Sequence, residues 1–208
     1  MLYPDLEKTI HSFDFNLISE ERRSLLLPLL NFLKNKIDQS SKVNLNFICT
    51  HNSRRSQFAQ IWAQTAAAYY GRDVACYSGG IEITAFNERA VNAIKNDGFK
   101  IKKEGGINPV YTVQYADNAR PIIAFSKLFD NPINPDTGFA AVMTCSHADE
   151  NCPLIPGIET KISLHYEDPK KFDGTPEEVA KYKERSVQIA TEMFYVFSKI
   201  KSSHDKYS

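Results

Sequence analysis

The chain has 208 residues, of which 42% are hydrophobic, and its 25 basic and 25 acidic residues give a formal net charge of zero. This length and apolar fraction suffice for one sizeable α/β core, and the even charge gives no indication of a nucleic-acid or anionic-membrane surface. No apolar run approaches the roughly 18 residues of a membrane span and no signal-like leader opens the chain, so we expect a cytoplasmic protein. Four cysteines in such a chain are more often catalytic than a structural framework.

Residues 1–42 are predicted to form a helical extension that precedes the main domain. Ser19 has the side chain of a good N-cap, and a leucine-rich helical pattern follows it. Pro28 is expected to kink that second helix or to shift its start. The leucines between positions 25 and 33 exceed what a lone surface helix needs, so the helices either pack on the main domain or form a homodimer or partner-binding face. No candidate catalytic group lies here, and removal of residues 1–40 is expected to leave the site chemistry intact.

The pattern changes from strand to helix across residues 43–71. Val43, Leu45 and Phe47 alternate with polar residues and predict a strand that ends at Cys49. A helical pattern begins at Arg55. The polar residues between them, with the first helical arginine, form the candidate oxyanion-binding loop: Thr50, His51, Asn52, Ser53, Arg54 and Arg55.

A cysteine placed directly before such a loop can act as a nucleophile. Backbone N–H groups at a helix N-terminus point at one spot and favour negative charge there, which stabilises the Cys49 thiolate. Arg55 can bind two oxygens of a tetrahedral oxyanion, and Ser56 can donate a hydrogen bond to the sulfur. Arg54 would either tighten anion binding or face solvent, and we favour solvent. The alternative is a buried cysteine at a strand end beside a surface arginine.

The middle of the chain is predicted to continue the α/β pattern and then to insert a hairpin. Cys76, in a short second strand, has no positive neighbours and is expected to be a core residue. Residues 107–136 are predicted to be an inserted β-hairpin with strands at 110–115 and 121–129. Its function is open: the hairpin would form a rim over the site, a dimer contact or extra edge strands.

Two further cysteines follow the last predicted central strand. Residues 139–144 are apolar enough for a strand buried on both faces, and this strand ends at Cys145. Because parallel strands share one rim at their C-terminal ends, Cys49 and Cys145 could approach each other. Cys152 lies seven positions further on, so the pair is either redox-active or two buried or metal-binding thiols with His147 between them. The loop after Cys145 is expected to be mobile.

The C-terminal part contains a candidate general acid. A last strand at residues 161–165 leads into a loop with Asp168, a long terminal helix follows, and residues 201–208 are predicted to be a frayed tail. On its own, an Asp-Pro pair in a loop is usually turn chemistry. Glu167 and Asp149 are expected to be surface or loop-bracing carboxylates.

Four segments resemble one known family in the order in which the family has them. That family comprises the low-molecular-weight tyrosine phosphatases and the thioredoxin-coupled arsenate reductases, which share one fold. Its phosphate-binding loop resembles FICTHNSRRSQFAQIW, and the redox segment of its reductase branch resembles VMTCSHADENCPLIP. YSGGIE and HYEDP also resemble family segments, and the second of these carries the family's acid. The resemblance covers residues 43–200, weakly over 107–136, and implies a doubly wound, three-layer α/β domain whose parallel sheet has helices on both faces.

The resemblance implies that the protein reduces arsenate to arsenite. Cys49 would attack arsenic, and Asp168 would protonate the leaving oxygen. Cys145 would then attack the sulfur of Cys49, and Cys152 would resolve that disulfide, leaving a Cys145–Cys152 pair that thioredoxin reopens. Neither a cofactor nor a metal ion is expected.

Two other activities stay open at this point. A low-molecular-weight protein tyrosine phosphatase would use Cys49, Arg55 and Asp168 to hydrolyse phosphotyrosine through a phosphocysteine, and it would need neither of the later cysteines. His51 stands where the family usually has glycine, and histidine tolerates a positive φ less well than glycine. If His51 blocks turnover, the chain would be a non-catalytic oxyanion-binding regulator.

Overall fold

A computed structural model describes residues 1–151 and 154–200, and six α-helices and seven β-strands lie within these residues. The helices are α1 (Pro4–His11), α2 (Glu20–Asp38), α3 (Arg55–Tyr69), α4 (Glu88–Asn96), α5 (Ser146–Asn151) and α6 (Glu178–Ser198). The strands are β1 (Val43–Cys49), β2 (Val74–Gly80), β3 (Lys100–Glu104), β4 (Val110–Gln114), β5 (Ile122–Ala124), β6 (Phe139–Met143) and β7 (Ile158–Ser163). Short 3₁₀ turns lie at Phe15–Leu17 and Pro169–Phe172. None of the helices within the described residues has the length and hydropathy that a membrane span requires.

A four-stranded parallel sheet with the order β2-β1-β6-β7 forms the centre of the fold. Every residue of β1 and of β6 is buried, which confirms the prediction that residues 139–144 hold a central strand. The parallel sheet is flanked by helices, so the predicted α/β class is also confirmed. Because all four strands run the same way, the C-terminal ends of β1, β2 and β6 meet at one rim, where the candidate site lies.

The two faces of the sheet are covered differently. Side chains alternate along a strand, so Leu45 and Phe47 of β1 point to one face and Ile48 to the other. Leu45 and Phe47 join the large core made with α3 and α6. Ile48 lies in a smaller cluster with Met143, into which α5 inserts Ala148. The second helical layer is therefore thin, and loop segments complete it.

The N-terminal extension packs into the same core as the sheet. Leu6 of α1 and Leu26 and Leu33 of α2 are completely or almost completely buried in the cluster that contains Phe47. Helix α2 begins directly after its N-cap Ser19, whose side chain accepts a hydrogen bond, and it continues through Pro28. Pro28 thus does not set the helix start. Most of the leucines between positions 25 and 33 are buried in this core. Within this stretch Leu25 and Leu27 are exposed, and the homodimer contact stays a prediction that would have to use them.

The inserted segment forms a separate antiparallel sheet with the order β3-β4-β5. The predicted hairpin is present, since Tyr111 of β4 pairs with Ala124 of β5, but β3 adds a third strand. These strands do not extend the parallel sheet, so the interpretation as extra edge strands is wrong. The predicted second arm, 121–129, is also too long. After Ala124 the backbone pairs with Gly80 at the end of β2 instead: Gly80 N–H donates to the Lys127 carbonyl and Phe129 N–H to the Gly80 carbonyl.

Candidate active site

Cys49 ends β1 at the N-terminus of α3, as the sequence predicts. Its Sγ lies 3.0 Å from Ser56 Oγ, and Asn52 Nδ2 donates a hydrogen bond of 2.8 Å to the same oxygen. Because Ser56 Oγ accepts from Asn52, its own proton is available for a thiolate at Cys49. This is the geometry that the predicted role of Ser56 requires.

The strained backbone of the oxyanion loop lies at Asn52. Asn52 has a φ of 45°, whereas His51 has no positive φ. Asparagine accepts this conformation more readily than most residues, and the surroundings of Asn52 hold it there: its Oδ1 accepts from Lys127 N–H (3.1 Å) and its carbonyl from Gln57 Nε2 (3.0 Å). The imidazole of His51 lies 3.0 Å from the Glu82 carboxylate. The loop conformation therefore does not depend on a glycine at His51.

Two glycines at the end of β2 allow other backbone segments, the oxyanion loop among them, to come close to this strand. A Cβ atom added to Gly80 would lie 2.7 Å from the Asn52 nitrogen and 2.8 Å from the Thr50 oxygen. A Cβ atom added to Gly79 would lie 2.3 Å from the Phe129 Cα atom. No real Cβ contact is that short, so the glycines of YSGGIE are required by packing. Sequence reasoning recognised this segment only by resemblance and missed its contact with the loop.

Arg55 and the candidate acid lie together beside the loop. Arg55 Nη2 donates to Asp168 Oδ2 (2.8 Å), and its Nη1 donates to the Tyr166 carbonyl (3.1 Å). The prediction that Arg54 faces solvent is wrong. Arg54 is buried, its Nε donates to the Tyr182 hydroxyl (3.0 Å), and its guanidinium lies 3.6 Å from Asp168. Two guanidinium groups thus share one carboxylate, which leaves net positive charge for an oxyanion.

Tyr182 of α6 is a site residue that sequence reasoning missed. Its hydroxyl accepts from Arg54 and donates to Asp173 Oδ1 (2.8 Å). Burial and the hydrogen bond to Asp173 raise the pKa of Tyr182 to about 12, so the phenol stays protonated at neutral pH. Tyr182 has the apolar helical spacing of a core residue, and the sequence contains no signal for its polar partners.

Cys145 lies next to the oxyanion loop, although it is 95 positions away from Thr50. Its Sγ is 3.5 Å from Thr50 Oγ1 and accepts from Ala148 N–H (3.4 Å). Cys49 and Cys145 share one buried cluster, and both thiols are free. Thr50 Oγ1 is also 3.2 Å from His147 Nδ1. Cys145 thus lies beside the residue that follows Cys49. The approach of the two sulfurs to each other stays a prediction, and Cys152 lies outside the described residues.

The segment after Cys145 is a helix and not the expected loop. Helix α5 is anchored to β7 through Asp149, whose carboxylate accepts from Lys161 Nζ (2.7 Å), from His165 Nε2 (2.7 Å) and from Ser163 Oγ. The expected bracing role of Asp149 is confirmed, although no local pattern indicated its partners. Any movement of Cys145 must overcome this anchor.

The remaining described cysteine is a core residue, as predicted. Cys76 is buried, and burial raises the pKa of its thiol. A neutral thiol in an apolar environment is a poor nucleophile.

The inserted sheet forms one wall of a cavity beside the loop. The cavity has a volume of about 420 Å³. Its lining includes Ser53 and Arg54 from the oxyanion loop and Lys103 and Tyr111 from the inserted sheet. Of the interpretations left open by the sequence, the rim beside the site therefore fits the structure best.

The fold and the site define a phosphatase-type α/β domain with a nucleophilic cysteine before an oxyanion loop. The low-molecular-weight phosphotyrosine phosphatase of Vibrio cholerae O395 has a similar fold, with a TM-score of 0.50, 12% identity and coverage of 75% of this chain and 94% of that one. Arsenate reductase 1 of Staphylococcus saprophyticus is 33% identical over 128 residues, which are 62% of this chain and 79% of the relative. Arsenate reductase of Halalkalibacterium halodurans is 29% identical over 138 residues, or 66% and 82% of the two chains. No family model matches. The chain belongs to the arsenate reductase family.

Proposed function

We propose that the protein reduces arsenate to arsenite in the cytoplasm, with a thioredoxin as the final reductant. The observation that supports this proposal best is the position of Cys145, whose sulfur contacts Thr50, the residue that follows Cys49. A phosphatase hydrolyses its phosphocysteine with water and needs no second thiol at this place. The cytoplasm is the compartment in which thioredoxin keeps such thiols reduced.

The first step uses the oxyanion loop. Arsenate has the shape and charge of phosphate, so the N–H groups at the start of α3 and the guanidinium of Arg55 can hold it. Arg55 would exchange the Tyr166 carbonyl and the Asp168 carboxylate for two arsenate oxygens. The Cys49 thiolate attacks arsenic, and the Asp168 carboxylate, released from Arg55, takes up a proton from solvent and passes it to the leaving oxygen, which departs as water.

The second step transfers two electrons to arsenic. The Cys145 thiolate attacks the sulfur of Cys49, a Cys49–Cys145 disulfide forms, and the sulfur–arsenic bonding pair stays on arsenic, which leaves as arsenite. Cys152 then attacks the sulfur of Cys145 and releases the Cys49 thiolate, and a thioredoxin dithiol reduces the resulting Cys145–Cys152 disulfide. A disulfide requires the sulfurs to meet at about 2 Å. Cys145 must therefore give up its hydrogen bond from Ala148 when α5 moves.

The test combines product analysis with peptide mapping. Wild-type protein, arsenate and a reduced thioredoxin system should release arsenite, and one equivalent of arsenate without thioredoxin should leave Cys145–Cys152. Cys152→Ser should stop at Cys49–Cys145, Cys145→Ser should form no disulfide, and Cys76→Ala should behave as wild type. Hydrolysis of an aryl phosphate while all thiols stay reduced in the presence of arsenate would contradict the proposal and identify a tyrosine phosphatase.

A further inference from the structure

The backbone that carries the candidate acid is also held from the N-terminal extension. Arg22 of α2 donates from Nη1 to the His165 carbonyl (2.9 Å). Its Nε and Nη2 donate to the two carboxylate oxygens of Glu192 on α6, at 2.9 and 2.7 Å. Glu192 is 2% exposed, and this bidentate ion pair supplies the hydrogen bonds that its buried carboxylate requires. One side chain of the extension thus connects α6 to residue 165.

Tyr166 joins this arrangement to the catalytic arginine. The guanidinium of Arg22 lies over the Tyr166 ring, 4.8 Å from its centroid, and the Tyr166 hydroxyl donates to Glu192 (2.8 Å). Burial raises the pKa of Tyr166 well above its usual value, so the hydroxyl stays a donor. The carbonyl of the same residue accepts from Arg55, which also binds Asp168. Residues 165–168 are therefore held between an arginine of the extension and the arginine of the oxyanion loop.

We propose that Arg22 is a positioning residue for the reaction: it holds residues 165–168, so that Asp168 still faces the leaving oxygen after Arg55 has released it to bind arsenate. This inference rests on the proposed function, because it assigns Arg22 a role in the same site. Such positioning matters because a displacement of a catalytic group by about 1 Å can cost about 100-fold in rate. We therefore expect the reverse of the sequence-based prediction for the extension: deletion of residues 1–40 should impair turnover.

The test compares two neighbouring arginines. Arg22→Gln removes the fork to Glu192 and the bond to His165. Arg23→Gln is the matched control, because Arg23 is similarly shielded but donates to the Ile18 and Phe15 carbonyls and not to residues 165–168. Arg22→Gln should lower kcat for arsenate about 10- to 100-fold and accelerate amide hydrogen exchange at residues 165–168. The Kd of phosphate, measured as protection of Cys49 from alkylation, should change by less than about threefold, since the loop N–H groups remain.

A double-mutant cycle separates positioning from general destabilisation. If Arg22 acts through the acid, Arg22→Gln should cost little further rate in an Asp168→Asn background. Arg22→Lys, which keeps the positive charge opposite Glu192 but lacks the fork, should recover only part of kcat. The proposal is overturned if Arg23→Gln loses as much rate as Arg22→Gln, or if the Arg22 and Asp168 effects multiply. If the wild-type protein releases no arsenite, the proposed function fails. Independently of that result, equal rates of amide hydrogen exchange at residues 165–168 in the Arg22 and Arg23 variants would refute the positioning role.

Discussion

Asp149→Asn should release α5 and speed the chemistry of Cys145. The Asp149 carboxylate holds α5 on β7 through Lys161, Ser163 and His165. Burial alone would raise the pKa of Asp149, but the hydrogen bonds from these three residues outweigh it and lower the pKa below 3.8. The folded state thus favours the carboxylate, so the anchor is present above the ordinary pKa and is lost only as the pH falls through the lowered value. At neutral pH it is fully formed.

The size of the effect follows from the exposure of the partners. The side chain of Asp149 is 15% exposed, but Lys161 is 26% and His165 is 41% exposed, so solvent weakens both contacts. Lys161 also donates to the Asp149 carbonyl, a bond that the variant keeps. We estimate that Asp149→Asn destabilises the closed position of α5 by about 1–2 kcal/mol, which corresponds to about a 5- to 30-fold larger open population.

The assay follows Cys145 directly. Reduced protein is alkylated briefly at pH 7, and each cysteine is mapped by mass spectrometry. In the Asp149→Asn variant the alkylation rate of Cys145 should rise by the same factor as the open population, and that of Cys76 should not change. In the Cys152→Ser background, one equivalent of arsenate should produce Cys49–Cys145 faster by a similar factor. Glu150→Gln is the matched control, because Glu150 lies on the same helix and is exposed. Equal rates in the Asp149 and Glu150 variants would refute the view that this cluster holds Cys145 in place.

Three further predictions concern the nucleophile, the loop and the core. Cys49 should be alkylated before Cys76 at pH 6 and be protected by phosphate; preferential labelling of Cys76 would contradict the site assignment. Gly80→Ala should cost about 1–3 kcal/mol of stability or abolish phosphate protection, because its Cβ would meet loop backbone, whereas Gly106→Ala, with nothing within 4 Å, should be neutral. Burial raises the pKa of Asp97 to about 6 despite its hydrogen bond from Ser186, so stability should fall as the pH rises from 3.8 to about 6. Asp97→Asn should remove this slope in urea titrations and stabilise the protein by up to about 3 kcal/mol above that range; an unchanged slope would refute the assignment.

The sequence alone determined the features that depend on near neighbours. Strand β1 and its end at Cys49 follow from side chains that alternate over seven positions, and the N-cap at Ser19 follows from a hydroxyl within three positions of the amide it binds. The loop and Arg55 follow from one stretch in which strand, polar turn and helix are consecutive. These features can be predicted from the sequence because the local backbone determines their geometry.

The tertiary structure decided which distant groups meet at that loop. The buried Arg54 finds an acceptor at Tyr182, 128 positions away, and α5 is held in its place because Asp149 finds donors on β7. The contact of Arg22 with Glu192 joins residues 170 positions apart. No local pattern encodes these pairs, since each depends on how separate helices and strands pack before the side chains can reach one another. The sequence therefore predicts the nucleophile and its loop, and packing alone determines what holds the acid and the second thiol in place.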